Sequence, residues 1–131
     1  MGLINDQFLI GVTGIFFDEN NRVLLVKHSY RGDNSWSLPG GYIKKGEHPK
    51  EGLEREVEEE TGFVVSADTR LKIRTDRNNA RLDITYSGDF IGGNYKPSAE
   101  ILEAKLFSFD NLPILPQDQI VFIDKALKIK E

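Results

Sequence analysis

Between Glu51 and Glu60 the chain sets six carboxylates within ten positions, and the only base among them is Arg55. Pro49 suits a first helical position, where its missing N–H costs nothing, and Gly62 suits the residue just past a helix end. The spacing therefore predicts a helix of about 13 residues between them. At about 100° per residue, with Leu53 at zero, Val57 falls near 40° and the two define an apolar stripe. Glu60 then lies near −20°, Glu56 near −60° and Glu59 near −120°, while Glu51, Glu54 and Glu58 fall between about 100° and 160°, on a side expected to be solvated. Glu56 and Glu60 thus flank the stripe as a like-charge i,i+4 pair. Glu58, Glu59 and Glu60 sit in a last turn where the helix dipole disfavours anions. A hard divalent cation on the oxygens of Glu56, Glu59 and Glu60 would offset these penalties together. The competing reading is a plain solvated acidic face.

Gly52 lies inside this helix, where glycine costs about 1 kcal/mol relative to alanine. Its place beside Glu56 and Glu59 suggests close approach by another backbone segment, such as Gly40-Gly41, or ordinary close packing.

The elements that must carry this helix read as follows. Residues 8–17 and 22–27 are apolar, branched and aromatic runs around the turn cluster Asp18-Glu19-Asn20-Asn21, which predicts a hairpin. A polar loop, 29–35, leads to Trp36-Ser37-Leu38-Pro39-Gly40-Gly41, a short apolar piece ending in a break. After the helix, residues 63–75 and 81–91 read as long strands joined at Asp76-Arg77-Asn78-Asn79. Residues 103–109 read as a short strand. Residues 117–128 carry Ile120, Val121, Ile123, Ala126 and Leu127 at helical spacing. The order β-β-α-β-β-β-α predicts an α/β fold, a mixed sheet with helices on its faces.

The chain has 131 residues, which predicts one domain over 1–131. It is 39% hydrophobic and 29% charged with a net charge of −4, so it reads as a globular protein and not as a binder of nucleic-acid polymers. Small phosphorylated substrates remain open to it, because a metal brings its own charge. Without cysteine it has neither disulfides nor a thiol nucleophile, which fits a cytoplasmic setting. The first residues lack the basic leader of a signal peptide, and no run approaches a membrane span.

Gly41, five residues, Glu47, seven residues, then Arg55-Glu56-Val57-Glu58-Glu59-Glu60-Thr61-Gly62-Phe63 resembles a complete Nudix box, preceded by the usual Leu38-Pro39-Gly40. The resemblance implies an α/β/α sandwich and a Mg²⁺- or Mn²⁺-dependent pyrophosphohydrolase that sends water against phosphorus. It implies that Glu56, Glu59 and Glu60, with Gly41, bind metal, and that Arg55 and Glu47 orient the carboxylates. Family members often take a further carboxylate from outside the box, here Glu100 or alternatively Glu103. Gly52 stands where a small residue such as alanine is usual, and His48 replaces a frequent serine at the N-cap, which predicts weaker capping.

The expected partner is a small nucleotide, either a nucleoside triphosphate, an oxidised one, a nucleotide sugar or ADP-ribose. A nucleotide-sensing module without turnover is the alternative, and a homodimer is compatible. Substrate candidates are Arg31 as a phosphate clamp and Tyr30 as a stacking ring, beside Gly40 and Gly41. Arg70, Lys72 and Arg74 alternate, so they are expected on one strand face, either solvated or facing phosphate. Trp36 and Tyr86 read as core, with a base pocket as the alternative, and His28 as structural.

Overall fold

The computed structural model describes residues 9–30, 32 and 34–130. Its elements are β1 (Leu9–Phe17), β2 (Val23–His28), β3 (Gly40–Tyr42), α1 (Pro49–Thr61), β4 (Phe63–Asp76), β5 (Arg81–Gly93), β6 (Ile101–Phe107) and α2 (Gln117–Lys130), with a 3₁₀ turn at Phe109–Asn111 before α2. The strands form one mixed sheet in the order β4-β5-β1-β2-β6, with β3 paired to β1 off this path. Helix α1 covers one face and α2 the other, so the expected α/β/α sandwich is present.

Each face buries its own cluster. On the α1 face Leu53 and Val57, both 0% exposed, pack with Val12, Phe16 and Val26. On the α2 face Ile123 and Ala126 pack with Ile15, Phe17 and Trp36. Trp36 and Tyr86 are therefore core residues, Trp36 meeting Phe107 edge-on at 4.9 Å between centroids. At about 25 cal/mol per Å², burial of such side chains supplies the main drive for holding both helices.

Several expectations need correction. The break at Gly40-Gly41 is a strand. The only register pair between β1 and β2 is Phe17↔Val23, and β3 pairs with β1 at Gly11↔Tyr42, Val12↔Gly41 and Thr13↔Gly40. The sixth strand lies at Ile101–Phe107, not 103–109, because its partner β2 begins at Val23, opposite Phe107. Helix α2 runs two residues further than expected, to Lys130. A register shift between Arg70 and Lys72 breaks the alternation in β4. Arg70 opposes Tyr86, whereas Lys72 and Arg74 oppose Thr85 and Asp83, so only the latter two share a face.

Helix α1 keeps the predicted ends. Gly62 closes it at φ 81°, donating its N–H to the Glu58 carbonyl at 2.9 Å, a conformation that glycine adopts without a Cβ penalty. His48 stands at the N-cap, its Nδ1 accepting from the Lys50 N–H at 3.1 Å.

The β1–β2 turn is tied by Asp18, which is 8% exposed. Its carboxylate accepts from the backbone N–H groups of Asn20 (3.0 Å) and Arg22 (2.8 Å) and from Arg22 Nε (2.8 Å). Burial opposes its ionisation most strongly, but the Arg22 and Asn20 donors together outweigh burial and lower its pKa. Asp18→Ala is expected to cost about 1–3 kcal/mol at pH 7, as for loss of hydrogen bonds to a charged group. A lowered pKa stabilises above the unfolded value of 3.8 and ceases to do so as pH falls through the folded value. The difference between wild type and variant in urea unfolding should thus be full at pH 7 and shrink below about pH 4.

Candidate active site

Leu53 and Val57 anchor α1 to the sheet, and this sets which carboxylates leave solvent. Glu56 and Glu60 are half-buried beside the stripe, as their angles predicted, while Glu51, Glu58 and Glu59 are exposed. Glu54 is a correction. Its Oε2 accepts from the Ala67 N–H of β4 at 2.8 Å, so it ties helix to sheet and is not plain surface. Thr61 is fully buried, its hydroxyl donating to the Val57 carbonyl at 2.6 Å and accepting from the Phe63 N–H at 3.1 Å.

Arg55 is the hub of the acidic face. Its Nε and Nη2 grip Glu47 bidentately at 2.6 and 3.0 Å, and its Nη1 reaches Glu59 at 3.0 Å and Glu56 at 3.2 Å. Glu47 also accepts from the Lys44 N–H at 2.8 Å. These donors, Arg55 first, bring the Glu47 pKa down to about 2. Glu47 in turn raises that of Arg55. The pair is a fixed fork and not a loose surface contact.

Glu56, Glu59, Glu60 and Glu100 line one open cavity of about 350 Å³ with Ser98 and Ala99. Glu100 reaches it because its loop is stitched to the end of β2. The Ser29 N–H donates to the Glu100 carbonyl at 2.8 Å and the Ser29 hydroxyl to the Ala99 carbonyl at 2.9 Å. Glu103 points to a different partnership, with Lys105 at 3.0 Å and Lys27 at 3.6 Å. Burial, the charge of Glu56, and the hydrogen bond and charge of Glu100 push the Glu60 pKa up to about 8. Three carboxylates thus crowd one another where Arg55 reaches only Glu56.

Gly41 touches this group. A Cβ there would stand 2.7 Å from Glu56 Oε2, so the missing side chain lets β3 lie on the carboxylate. Gly52 does not serve that purpose. Its Cβ would meet Ile43 Cγ2 at 2.7 Å and Glu47 Oε1 at 2.8 Å, so it makes room for the residues before α1 and not for Gly40-Gly41. Gly40 pairs with Thr13 on β1. Tyr30 is 73% exposed with its ring 4.9 Å from that of His28, and it lines neither this cavity nor the one on the opposite face. Arg31 lies outside the described residues.

The opposite face holds a second cavity, of about 210 Å³, which the linear sequence did not reveal. Thr13 and Thr85 form part of its lining, with Phe122 and Gln119 of α2 and Lys72, Arg74, Arg81 and Asp83 of the sheet. The Lys72 ammonium lies 4.9 Å from the Phe122 ring centroid, and Gln119 Oε1 accepts from the Leu38 N–H at 2.8 Å. Alternation along β5 was the available signal, since Arg81, Asp83 and Thr85 share one face.

No group of three or more His, Cys, Asp or Glu among the described residues stands ready-spaced for a metal ion. Glu59 is turned to Arg55 and Glu60 is hydrogen-bonded with its neighbours. The donor chemistry nevertheless suits a hard divalent cation, being all oxygen and short of positive charge. No helix of the described residues is long and apolar enough to cross a membrane.

Comparison with known proteins agrees with this arrangement. A family model described as NUDIX domain matches residues 7–127. An ADP-ribose pyrophosphatase of Methanocaldococcus jannaschii is 30% identical over 92% of this chain and 74% of its own length. Two further relatives, from Streptomyces ambofaciens and Homo sapiens, are spanned over only 58% and 33% of their lengths. The crystal structure of an ADP-ribose pyrophosphatase from Streptococcus suis superposes with a TM-score of 0.76 at 26% identity, covering 93% of each chain. That of a NUDIX hydrolase from Nitrosomonas europaea has a TM-score of 0.81 at 21% identity, covering 94% of this chain and 74% of that one, and supports the fold alone. With the box in place on α1 and the match running through the fold, the chain belongs to the Nudix family of phosphoanhydride hydrolases.

Proposed function

We propose that this protein hydrolyses the diphosphate linkage of a nucleoside diphosphate sugar of the ADP-ribose type, using Mg²⁺ or Mn²⁺ held by Glu56, Glu59 and Glu60 beside Gly41. The observation that carries the reading is the single cavity into which Glu56, Glu59, Glu60 and Glu100 converge, with Glu60 pushed up to about 8 by its surroundings. Such a crowd of carboxylates favours either protons or a divalent cation. A bound cation supplies charge neutralisation on the diphosphate and acidifies a ligated water. The ADP-ribose class is supported by two relatives described as ADP-ribose pyrophosphatases, one in sequence and one in structure.

The chain's own residues divide the remaining work. Arg55 and Glu47 lock each other and set the Glu56 and Glu59 carboxylates, a positioning role typical of groups behind a metal site. Gly41 lets β3 lie directly on Glu56 and so helps to hold that carboxylate at the cavity. One of the cavity carboxylates accepts the proton of the attacking water. The cavity under α2, with its hydroxyl lining, aromatic wall and cationic rim, suits the nucleoside end of the substrate.

Incubation with ADP-ribose and Mg²⁺ should release AMP, and Glu60→Gln should lower kcat at least about 100-fold, or about 2.7 kcal/mol of barrier, with little change in KM. Turnover unchanged in that variant would remove Glu60 from the reaction. Arg55→Lys keeps the charge but loses the fork, so kcat should fall about 10- to 100-fold. Full activity in Arg55→Lys would mean that the bidentate grip on Glu47 does not matter.

A further inference from the structure

Arg81 opens β5 and lies on the α2 face, where it lines the second cavity. It is held from two sides. Its Nε donates to Asp83 Oδ1 at 2.8 Å, and its Nη1 donates to the Tyr42 hydroxyl of β3 at 3.0 Å. Its guanidinium carbon lies 5.3 Å from the Tyr42 ring centroid. To reach Tyr42 from β5 the side chain must cross β1, because β1 separates the two strands. It crosses at Gly11, which is paired with Asp83 on one side and Tyr42 on the other. A Cβ on Gly11 would stand 2.5 Å from Asp83 Oδ1 and in ordinary contact, at 3.4 Å, with Arg81 Nη2, so the bare glycine makes room for the carboxylate that holds the guanidinium.

This tie sets Arg81 against β3, a strand that turns Tyr42 to the α2 side and Gly41 to the α1 side. The α2-side cavity is lined by Arg81, Arg81 is bonded to Tyr42, and Tyr42 follows Gly41, which lies against Glu56. Asp83 and Tyr42 occupy Nε and one Nη1 hydrogen, while Nη2 donates to no side chain among the described residues and lies over Gly11. Lys72 and Arg74 also line the cavity, but both are exposed on the edge strand, whereas Arg81 is braced by two hydrogen-bonded partners. A braced cation loses little side-chain freedom on binding, which favours it as the anion contact.

We propose that Arg81 is a substrate-binding residue, donating from Nη2 to a phosphate oxygen of the diphosphate where it leaves the α2-side cavity for the carboxylates, with Tyr42 as its positioning residue. The inference rests on the reaction proposed above, and it concerns binding and not the chemical step. Lacking contact with the carboxylates, Arg81 should act on KM and leave kcat alone.

The test is steady-state hydrolysis of ADP-ribose with Mg²⁺ by wild type, Arg81→Met, Arg81→Lys, Tyr42→Phe and the Arg81→Met/Tyr42→Phe double variant, alongside calorimetric binding of ADP in the presence of Mg²⁺. Arg81→Met should raise KM at least about tenfold with kcat within about threefold, and Arg81→Lys should recover part of the loss. Tyr42→Phe, which keeps the ring and loses the acceptor, should raise KM by a smaller factor and add nothing in the Arg81→Met background. KM and ADP affinity within about twofold of wild type in Arg81→Met would overturn the assignment, as would a Tyr42→Phe effect that persists in the double variant. If wild type binds ADP but cleaves no ADP-ribose, the reaction proposed above fails while weakened ADP binding by Arg81→Met still upholds Arg81. A wild type that neither cleaves ADP-ribose nor binds ADP overturns both.

Discussion

The site depends on one constraint: α1 must hold Glu56 and Glu60 half-buried beside its apolar stripe, although these carboxylates repel each other. Leu53 and Val57, both fully buried, fix the rotation of the helix and keep the two carboxylates half-buried at the edge of the cavity. Arg55 relieves the strain only in part. It is gripped by Glu47 and shared between Glu56 and Glu59, while burial and the neighbouring Glu56 and Glu100 push the Glu60 pKa up to about 8. Apolar packing therefore stores an electrostatic demand that a divalent cation is suited to meet.

The sheet separates two tasks that one surface would perform poorly. Its α1 face carries the acidic group, and its α2 face carries a cavity with Lys72, Arg74 and Arg81. Placing the cations on the acidic face would satisfy Glu60 with a side chain and weaken any metal site. Glycine makes the connection between faces possible. Gly41 lets β3 rest on Glu56, and Gly11 leaves room for the Asp83 carboxylate that holds Arg81 as it crosses β1 to Tyr42. Neither approach would survive a Cβ without displacing a charged group.

Much of this was legible in the residues, and what was not has a physical reason. Helix α1 was readable to its last residue because Pro49 and Gly62 act locally, and the facing of Glu56 and Glu60 followed from the 3.6-residue period. Glu54 was misread as surface because its partner, the Ala67 N–H, arrives from β4 and leaves no trace in helical spacing. Glu100 was readable as a candidate from its region but not from its setting, since hydrogen bonds from Ser29 bring its loop to the cavity across 70 residues of chain. Strand β3 was missed because it has three residues and owes its existence to the open edge of β1. The common face assigned to Arg70, Lys72 and Arg74 failed at a bulge, which alternation cannot foresee.

The central claim is that the carboxylates of α1 and Glu100 form one cation site. The most direct measurement is titration of Mn²⁺ into the protein at pH 7.5, followed by electron paramagnetic resonance of free Mn²⁺, for wild type and for the Glu56→Gln/Glu60→Gln double variant. The account predicts that wild type binds Mn²⁺ and that affinity falls about 100-fold or more in the variant, as expected when charged oxygen ligands are removed from a hard-cation site. Equal binding by the two proteins would contradict it.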